Sequence, residues 1–257
     1  MVNAMPTVVF GERPFDAELV IFDKDGTLTD FKKTWIPLLE KRIDIVREKL
    51  GLDVPRRELR DLIFKTFGVG DDWIDPYGPF PYTPPHEDEI VFATALYSLG
   101  VPWEKGKTVA RHSIERAEEE LDRRETTVLF EGVPEVLDSL KRAGLLLALA
   151  TADLTGIAQT ILSFTGIHGL FDYVVGADMV ARHKPDPEML HKILEALKVG
   201  PESSVLVGDS ITDMEMGRRA GLGLVVGVTE GGIAAEQDLA RDADLVIPSV
   251  RDIRVIT

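Results

Sequence analysis

Residues 18–28 read Glu-Leu-Val-Ile-Phe-Asp-Lys-Asp-Gly-Thr-Leu, an apolar run of strand length that changes abruptly into a polar segment. Apolar runs without alternation are typical of strands that are covered on both faces in a parallel sheet. Further runs of this kind lie at residues 145–151, 173–176, 204–208, 222–228 and 245–247. The sequence therefore predicts a mainly parallel sheet whose first strand lies at residues 18–23.

Helical patterns separate these runs in the second half of the chain. Pro134 stands at a first-turn position, an apolar stripe follows, and Gly144 ends it. A second apolar stripe follows Asp186 and ends before Gly200. Because strand and helix alternate from about residue 131, we expect a Rossmann-like, doubly wound α/β fold.

The region between residues 31 and 130 has few strand-like runs. Helical spacing covers residues 31–50, 56–67, 86–99 and 104–124 instead. We therefore expect an all-helical cap domain at residues 31–130. It would be inserted after the first strand of an α/β core domain built from residues 1–30 and 131–257.

Composition excludes several classes of protein. The 257 residues include 44 Asp and Glu but only 29 Lys and Arg, and the net charge of −15 argues against a nucleic-acid partner. The absence of cysteine excludes disulfides, thiolate zinc sites and cysteine nucleophiles. The longest purely apolar run, residues 145–150, is too short to span a membrane. No secretory signal is visible at residues 1–12, so we expect a cytoplasmic protein without a membrane partner.

Polar residues stand where several of the predicted strands end. Residues 23–27 follow the first strand, and Thr151 to Asp153 follow the second. Asp209 follows a later strand, and Lys184 precedes the helix that begins near Asp186. Ligands of doubly wound sheets bind outside the carboxyl ends of the strands. The sequence therefore predicts one site with several carboxylates, a hydroxyl and a lysine.

These segments resemble the four motifs of the haloacid dehalogenase (HAD) superfamily. Asp-x-Asp-Gly-Thr follows an apolar strand, Thr follows a second strand, Lys-Pro precedes a helix, and Gly-Asp-Ser-x-x-Asp follows a further strand. They occur in the family's order, and the helical insertion after the first motif fits the cap domain of its phosphoglycolate phosphatase-like members. The resemblance covers the core and extends to the cap.

The resemblance implies a role for each motif residue. It makes Asp23 the nucleophile that forms an aspartyl-phosphate and Asp25 the general acid and base. Thr151 and Lys184 would complete the catalytic residues. The phosphoryl group would be bound by Gly26, Thr27, Thr151, Ala152 and Lys184. Asp-Gly is also a common turn pair, so residues 25 and 26 taken alone predict only a turn.

The resemblance also implies Mg²⁺ as the cofactor. Asp23, the backbone carbonyl of Asp25 and Asp209 would bind it, and an oxygen-only ligand set suits this cation. The cation would supply the positive centre that an anionic substrate needs in so acidic a protein. Asp213 has two interpretations that are compatible: an outer-shell role at the metal, or the second half of a capping box with Ser210.

The motifs favour a phosphatase that acts on a small phosphorylated metabolite. Dehalogenases of this fold lack the second carboxylate of the first motif, whereas Asp25 is present here. A phosphoglucomutase-type mutase shares all four motifs and stays an alternative, as does a non-catalytic binding protein on the same fold. We expect a monomer or a homodimer.

Two local features affect the choice of substrate. Many phosphoglycolate phosphatase-like members have Asn directly after the motif Thr, whereas this chain has Ala152 and Asp153, and a carboxylate at the mouth of the site would oppose a doubly acidic substrate. Lys24 receives no role. Residues 71–85 combine four aromatic residues with five prolines, and we interpret them either as a specificity loop or as part of the cap's own core.

Overall fold

The computed structural model describes residues 5–71 and 73–256. Their strands are β1 (Thr7–Phe10), β2 (Arg13–Asp16), β3 (Leu19–Phe22), β4 (Leu146–Ala150), β5 (Tyr173–Val175), β6 (Ser204–Gly208), β7 (Leu224–Val228), β8 (Leu245–Ile247) and β9 (Ile253–Val255). Their α-helices are α1 (Phe31–Leu50), α2 (Arg56–Phe67), α3 (Pro85–Ser98), α4 (Trp103–Glu120), α5 (Arg123–Thr126), α6 (Val133–Arg142), α7 (Thr155–Phe164), α8 (Glu188–Leu197), α9 (Ile211–Ala220) and α10 (Glu236–Leu239).

The main sheet has the strand order β5-β4-β3-β6-β7-β8, and every neighbouring pair in it is parallel. Side chains alternate between its two faces, and each face is covered by helices. Val20 and Phe22 pack with residues of α6 and α7, whereas Leu19 and Ile21 pack with residues of α8 and α9. This arrangement explains the continuous apolar runs, and it confirms the prediction of a doubly wound, mainly parallel α/β fold.

A second, antiparallel sheet with the order β2-β1-β9 joins the two ends of the described chain. We did not predict it. β2 and β9 contain charged residues, so neither of them forms a continuous apolar run, and β1 alone does not indicate a sheet. Val8 and Phe10 of β1 are nevertheless fully buried and extend the core of the main sheet.

The chain divides into two compact units, Met1–Phe31 with Val128–Thr257, and Lys32–Thr127. The first unit includes both ends of the insertion. The amide of Asp30 donates to the carbonyl of Val128 at 2.9 Å, and the amide of Phe130 donates to that of Leu28 at 2.9 Å. We propose that the units are the core and cap domains.

The second unit is helical, with one difference from the predicted elements. The helix expected over residues 104–124 ends at Glu120, and α5 begins a new turn. The cause is local, because Leu121 is extended and the side chain of Asp122 accepts a hydrogen bond from the amide of Arg124 at 2.9 Å. This N-cap starts a separate helix.

The described residues of segment 71–85 fit in part the interpretation as a specificity loop and in part the interpretation as core of the cap. The ring of Phe80 packs edge-on against Phe67 at 5.9 Å between centroids, within the apolar core of the helical unit. Trp73 and Tyr77 are each 59% exposed. One aromatic residue therefore belongs to the core, whereas two lie at the surface. Among the described helices, none has the length and apolar character needed to cross a membrane.

Candidate active site

The candidate site lies at the carboxyl ends of three adjacent strands of the first unit. Asp23 directly follows β3, Thr151 follows β4, and Asp209 follows β6. Lys184 comes from the connection between β5 and α8. Because neighbouring parallel strands end at the same edge of the sheet, residues that are far apart in sequence converge there.

Lys184 forms a bridge between two carboxylates of the site. Its Nζ atom lies 2.6 Å from Oδ1 of Asp23 and 2.7 Å from Oδ1 of Asp213. The three side chains are nearly buried. Burial lowers the pKa of Lys184, but Asp213 and Asp23 outweigh it and raise this pKa above its ordinary value. The lysine is therefore held as a cation beside Asp23.

Asp23, Asp209 and Asp213 form a buried acidic triad, since each offers a carboxylate oxygen within 4.8 Å of the others. Oδ1 of Asp209 accepts a hydrogen bond from the hydroxyl of Thr27 at 3.2 Å. Oδ2 of Asp209 is buried and has no hydrogen-bond partner among the described residues. An unpartnered carboxylate oxygen inside a protein is costly, and an oxygen-only cluster of this kind fits a divalent cation.

The electrostatics of the triad also favour a divalent cation at this place. With one ammonium group against three carboxylates, the cluster has an excess of two negative charges when it is ionised. Burial, offset in part by Lys184, raises the pKa of Asp23 to about 7. Burial, together with Asp23 and Asp213, raises the pKa of Asp209 well above its ordinary value. A divalent cation would balance this excess.

The turn after β3 brings the backbone against the triad. Gly26 has a φ of +88°, and its amide donates to the carbonyl of Thr29 at 2.7 Å. A Cβ atom at residue 26 would lie only 1.9 Å from Oδ2 of Asp209. The turn predicted from Asp-Gly is therefore present, and its glycine also makes room for the carboxylate of another strand.

Asp25 is held by contacts that the sequence analysis did not predict. Its Oδ1 atom accepts a hydrogen bond from the hydroxyl of Thr29 at 2.7 Å and lies 2.5 Å from Nζ of Lys24. Lys24 is fully buried, and its ammonium also lies 3.2 Å from Oδ2 of Asp153. Asp153 is therefore buried and ion-paired, and the objection that it opposes a doubly acidic substrate no longer holds.

The segment after β4 contains Thr151 and Ala152. Thr151 is buried, and its hydroxyl oxygen accepts a hydrogen bond from the amide of Asp153 at 3.2 Å. The hydroxyl proton is therefore available for donation elsewhere. Ala152 is exposed between these two buried residues.

Asp213 forms the predicted capping box and also contacts Lys184. Its Oδ2 atom accepts hydrogen bonds from the hydroxyl of Ser210 at 2.6 Å and from the Ser210 amide at 3.3 Å. The Ser210 hydroxyl oxygen in turn accepts from the amide of Asp213 at 3.1 Å, which completes the capping box of α9. The other oxygen of Asp213 contacts Lys184.

The structure connects most of the motif residues through direct contacts. Lys184 joins Asp23 to Asp213, and Thr27 contacts Asp209. The contacts of Lys24, Thr29 and Asp153 with the site were not predicted from the sequence, whereas the capping box of Ser210 and Asp213 was. A lysine between two motif carboxylates was the available signal for Lys24, since a buried cation needs acidic partners.

Comparisons with known proteins agree with this geometry. The family model of the haloacid dehalogenase-like hydrolases matches residues 17–221. The chain is 39% identical over 227 residues to a phosphoglycolate phosphatase of Psychrobacter arcticus, covering 84% of this chain and 86% of the relative. It is 29% identical over 235 residues to a Dickeya dadantii protein named "Probable phosphatase IndB", covering 91% of each.

The fold also matches solved structures. A predicted phosphoglycolate phosphatase from Haemophilus somnus superposes with a TM-score of 0.67 at 22% identity, over 92% of this chain and 96% of the other. This likeness concerns the fold, while the family model and the Psychrobacter relative establish the family. The chain belongs to the haloacid dehalogenase-like hydrolase family.

Proposed function

We propose that this protein is a Mg²⁺-dependent phosphatase that hydrolyses a small phosphate monoester through an aspartyl-phosphate intermediate. The observation that supports it best is the ammonium of Lys184, which lies 2.6 Å from Asp23 and 2.7 Å from Asp213 beside the unpartnered oxygen of Asp209. A nucleophilic carboxylate, a cation for phosphoryl oxygens and a set of metal ligands are thereby combined.

The first step is nucleophilic. An oxygen of the Asp23 carboxylate bonds to phosphorus while the bond between phosphorus and the ester oxygen breaks. Lys184 fixes the orientation of this carboxylate through Oδ1 and contributes positive charge to the phosphoryl oxygens. The hydroxyl of Thr151 donates a hydrogen bond to the phosphoryl group, as do the backbone amides of Ala152 and of the turn at Gly26 and Thr27.

Asp25 supplies and then recovers a proton. In its protonated form it gives a proton to the leaving ester oxygen, which departs as an alcohol. The resulting carboxylate takes a proton from a water molecule, whose oxygen attacks phosphorus and releases inorganic phosphate from Asp23. Thr29 and Lys24 hold one oxygen of Asp25 during these transfers.

The metal would be bound by Asp23, Asp209 and the backbone carbonyl of Asp25, with Asp213 in an outer position. Mg²⁺ bound there would shield the attacking carboxylate from the negative charge of the phosphoryl group and polarise the latter. The excess negative charge of the triad and the unpartnered oxygen of Asp209 support this assignment.

The substrate class is a small phosphorylated metabolite. The net charge of −15 gives no support for nucleic acid as a partner. Relatives are named phosphoglycolate phosphatases, and the pairing of Asp153 with Lys24 removes the main argument against such a doubly acidic substrate. We therefore propose 2-phosphoglycolate as the first compound to test. We also propose a cytoplasmic location and a monomeric or homodimeric state.

The test measures phosphate release from p-nitrophenyl phosphate and from a panel of phosphorylated metabolites, with Mg²⁺ and with chelator. We expect turnover that requires Mg²⁺, and Asp23→Asn to lower kcat by at least about a thousandfold. Acid-quenched wild type should contain a phosphoryl group on Asp23. Equal turnover in both proteins would exclude Asp23 as the nucleophile.

The same experiment separates the alternatives. A mutase would retain the phosphoryl group on its sugar through a bisphosphate intermediate, whereas a phosphatase releases inorganic phosphate stoichiometrically. A non-catalytic binding protein would bind Mg²⁺ and a phosphorylated ligand without turnover.

A further inference from the structure

Lys24 is a fully buried lysine inside the first motif. Its Nζ atom lies 2.5 Å from Oδ1 of Asp25 and 3.2 Å from Oδ2 of Asp153. Lys24 therefore lies between two carboxylates that follow different strands.

Asp153 provides a fixed partner for this cation. It is buried, its carbonyl accepts a hydrogen bond from the amide of Ala177 at 2.8 Å, and its amide donates to the hydroxyl of Thr151 at 3.2 Å. These backbone contacts hold the segment after β4 in place. An ammonium paired with Asp153 is consequently restrained relative to the second motif.

Asp25, in contrast, lies on the turn after β3 with a partly exposed side chain. Its Oδ1 atom has two neighbours, the Lys24 ammonium and the hydroxyl of Thr29 at 2.7 Å. An ion pair and a hydrogen bond to the same oxygen restrict the rotation of this carboxylate. For a group that must meet the leaving oxygen at hydrogen-bond distance, such restraint matters.

We propose that Lys24 is a positioning residue, which uses its ion pair with Asp153 to hold Asp25 in the orientation required for proton exchange with the leaving group. This inference rests on the proposed function, because it takes Asp25 as the general acid. It gives a role to a residue that lies between the two motif carboxylates and whose ammonium contacts Asp25 and Asp153. Lys24 and Asp153 thus act through Asp25 rather than on the substrate.

The readout is how the rate of the phosphorylation step, measured as release of the alcohol or phenol in the first turnover, depends on the leaving group. Steady-state turnover does not separate the two roles of Asp25, because Asp25 also acts as the base when the aspartyl-phosphate common to both substrates is hydrolysed. p-Nitrophenolate is a good leaving group and departs without a proton, whereas an alkoxide requires one. A variant with a misplaced Asp25 should therefore phosphorylate Asp23 slowly from an alkyl phosphate and at nearly the wild-type rate from p-nitrophenyl phosphate. A merely structural defect would lower both rates together.

Lys24→Met alone would leave Asp153 buried without its ammonium, which is strongly destabilising. The decisive variant is therefore Lys24→Met combined with Asp153→Asn, which removes both charges. We expect the first-turnover rate for the alkyl phosphate to fall about 100-fold, in the range of general acid catalysis, with little change in that rate for p-nitrophenyl phosphate. Asp153→Asn alone, which loosens Lys24 without removing it, should show a smaller change in the same direction.

Lys141→Met combined with Asp172→Asn is the matched control, because it removes an ion pair of 2.7 Å on the same unit outside the site. It should leave the ratio of the two first-turnover rates unchanged. Equal losses on both substrates, or no loss, in the Lys24 and Asp153 variants would overturn the proposal. If the double variant does not fold, Asp153→Asn decides by the same ratio.

Asp25→Asn separates the two levels of inference. If it slows the first turnover selectively for the alkyl phosphate while the Lys24 and Asp153 variants do not, only the positioning role is wrong. If it changes the first-turnover rates of both substrates equally, Asp25 is not the general acid, and the positioning role is wrong with it.

Discussion

Gly26 and Asp209 approach so closely that a Cβ atom on residue 26 would lie 1.9 Å from Oδ2 of Asp209. This is the oxygen of Asp209 that has no hydrogen-bond partner among the described residues. The positive φ of Gly26 and the proximity of its Cα to the carboxylate are thus two independent reasons for glycine at this position. The position of the candidate metal ligand Asp209 therefore depends on the absence of a side chain in the motif turn.

We predict that Gly26→Ala displaces Asp209 and impairs metal binding. The affinity for Mg²⁺ should fall about 10- to 100-fold, as for other changes that misplace a ligand, and phosphatase activity should fall at least as much. Isothermal titration with Mg²⁺ and kcat at saturating Mg²⁺ measure the two effects. Backbone strain should also lower the free energy of unfolding by about 1–3 kcal/mol.

Gly144→Ala is the matched control for this variant. Its φ is +90°, but nothing lies within 4 Å of the added Cβ atom. It should lower the free energy of unfolding by a similar amount and leave the affinity for Mg²⁺ unchanged. If both variants lost Mg²⁺ affinity equally, strain rather than the contact with Asp209 would be the cause.

The two roles of Asp213 can be separated by variants of the capping box. Ser210→Ala removes only the hydroxyl and should lower the free energy of unfolding by about 1 kcal/mol, with kcat nearly unchanged. Asp213→Asn keeps an oxygen for the cap but removes the charge that faces Lys184, and kcat should fall about 10- to 100-fold. Chemical denaturation and steady-state kinetics would show this contrast. Equal effects on kcat would mean that Asp213 acts only as a cap.

The sequence was sufficient to predict the main sheet and the convergence of the motifs. Continuous apolar runs such as residues 19–22 reveal a strand whose alternate side chains are buried on opposite faces. The order of motif residues after these strands then specifies which side chains meet at one edge. The antiparallel sheet was missed because its strands β2 and β9 contain charged residues and form no continuous apolar run.

The partners of individual side chains were harder to predict than the site itself. Lys24 received no role because alternation along a strand places it on the opposite side from Asp23, and that reasoning does not identify what lies there. Its partner Asp153 is more than a hundred residues away, and only the pairing of β3 with β4 brings them together. Non-local ion pairs of this kind leave no periodic pattern in a sequence.

Removing the exposed aromatic residues of segment 71–85 and removing the one that packs against the core should have different effects on stability. Trp73 and Tyr77 are exposed, so the double variant Trp73→Ala with Tyr77→Ala should unfold at nearly the wild-type temperature. If the segment selects substrates, this variant should change the ranking of phosphorylated metabolites by kcat/KM and leave p-nitrophenyl phosphate unaffected. An unchanged ranking would contradict a specificity role.

Phe80→Ala is the structural counterpart in the same segment. Because its ring packs on Phe67 in the helical unit, its loss should lower the free energy of unfolding by about 3 kcal/mol. A much smaller decrease in the free energy of unfolding would mean that the segment contributes little to the core of this unit.

The raised pKa of Asp23 predicts how stability depends on pH in the metal-free protein. Its folded pKa of about 7 lies above the ordinary value of 3.8, so between these values the folded state binds a proton that the unfolded state has lost. Stability from this group is therefore lost as pH rises through that window. Wild type should become progressively less stable relative to Asp23→Asn between pH 4 and pH 7, as measured by chemical denaturation in chelator.

Mg²⁺ should reverse this dependence, since it binds the ionised carboxylates and competes with the protons. The increase in Tm on addition of Mg²⁺ should be larger at pH 8 than at pH 5.5, and protons should be released on binding near neutral pH. Asp209→Asn removes a proposed ligand and should abolish most of the Mg²⁺-induced increase at both values. An increase that is independent of pH in wild type would mean that Mg²⁺ does not bind at the triad.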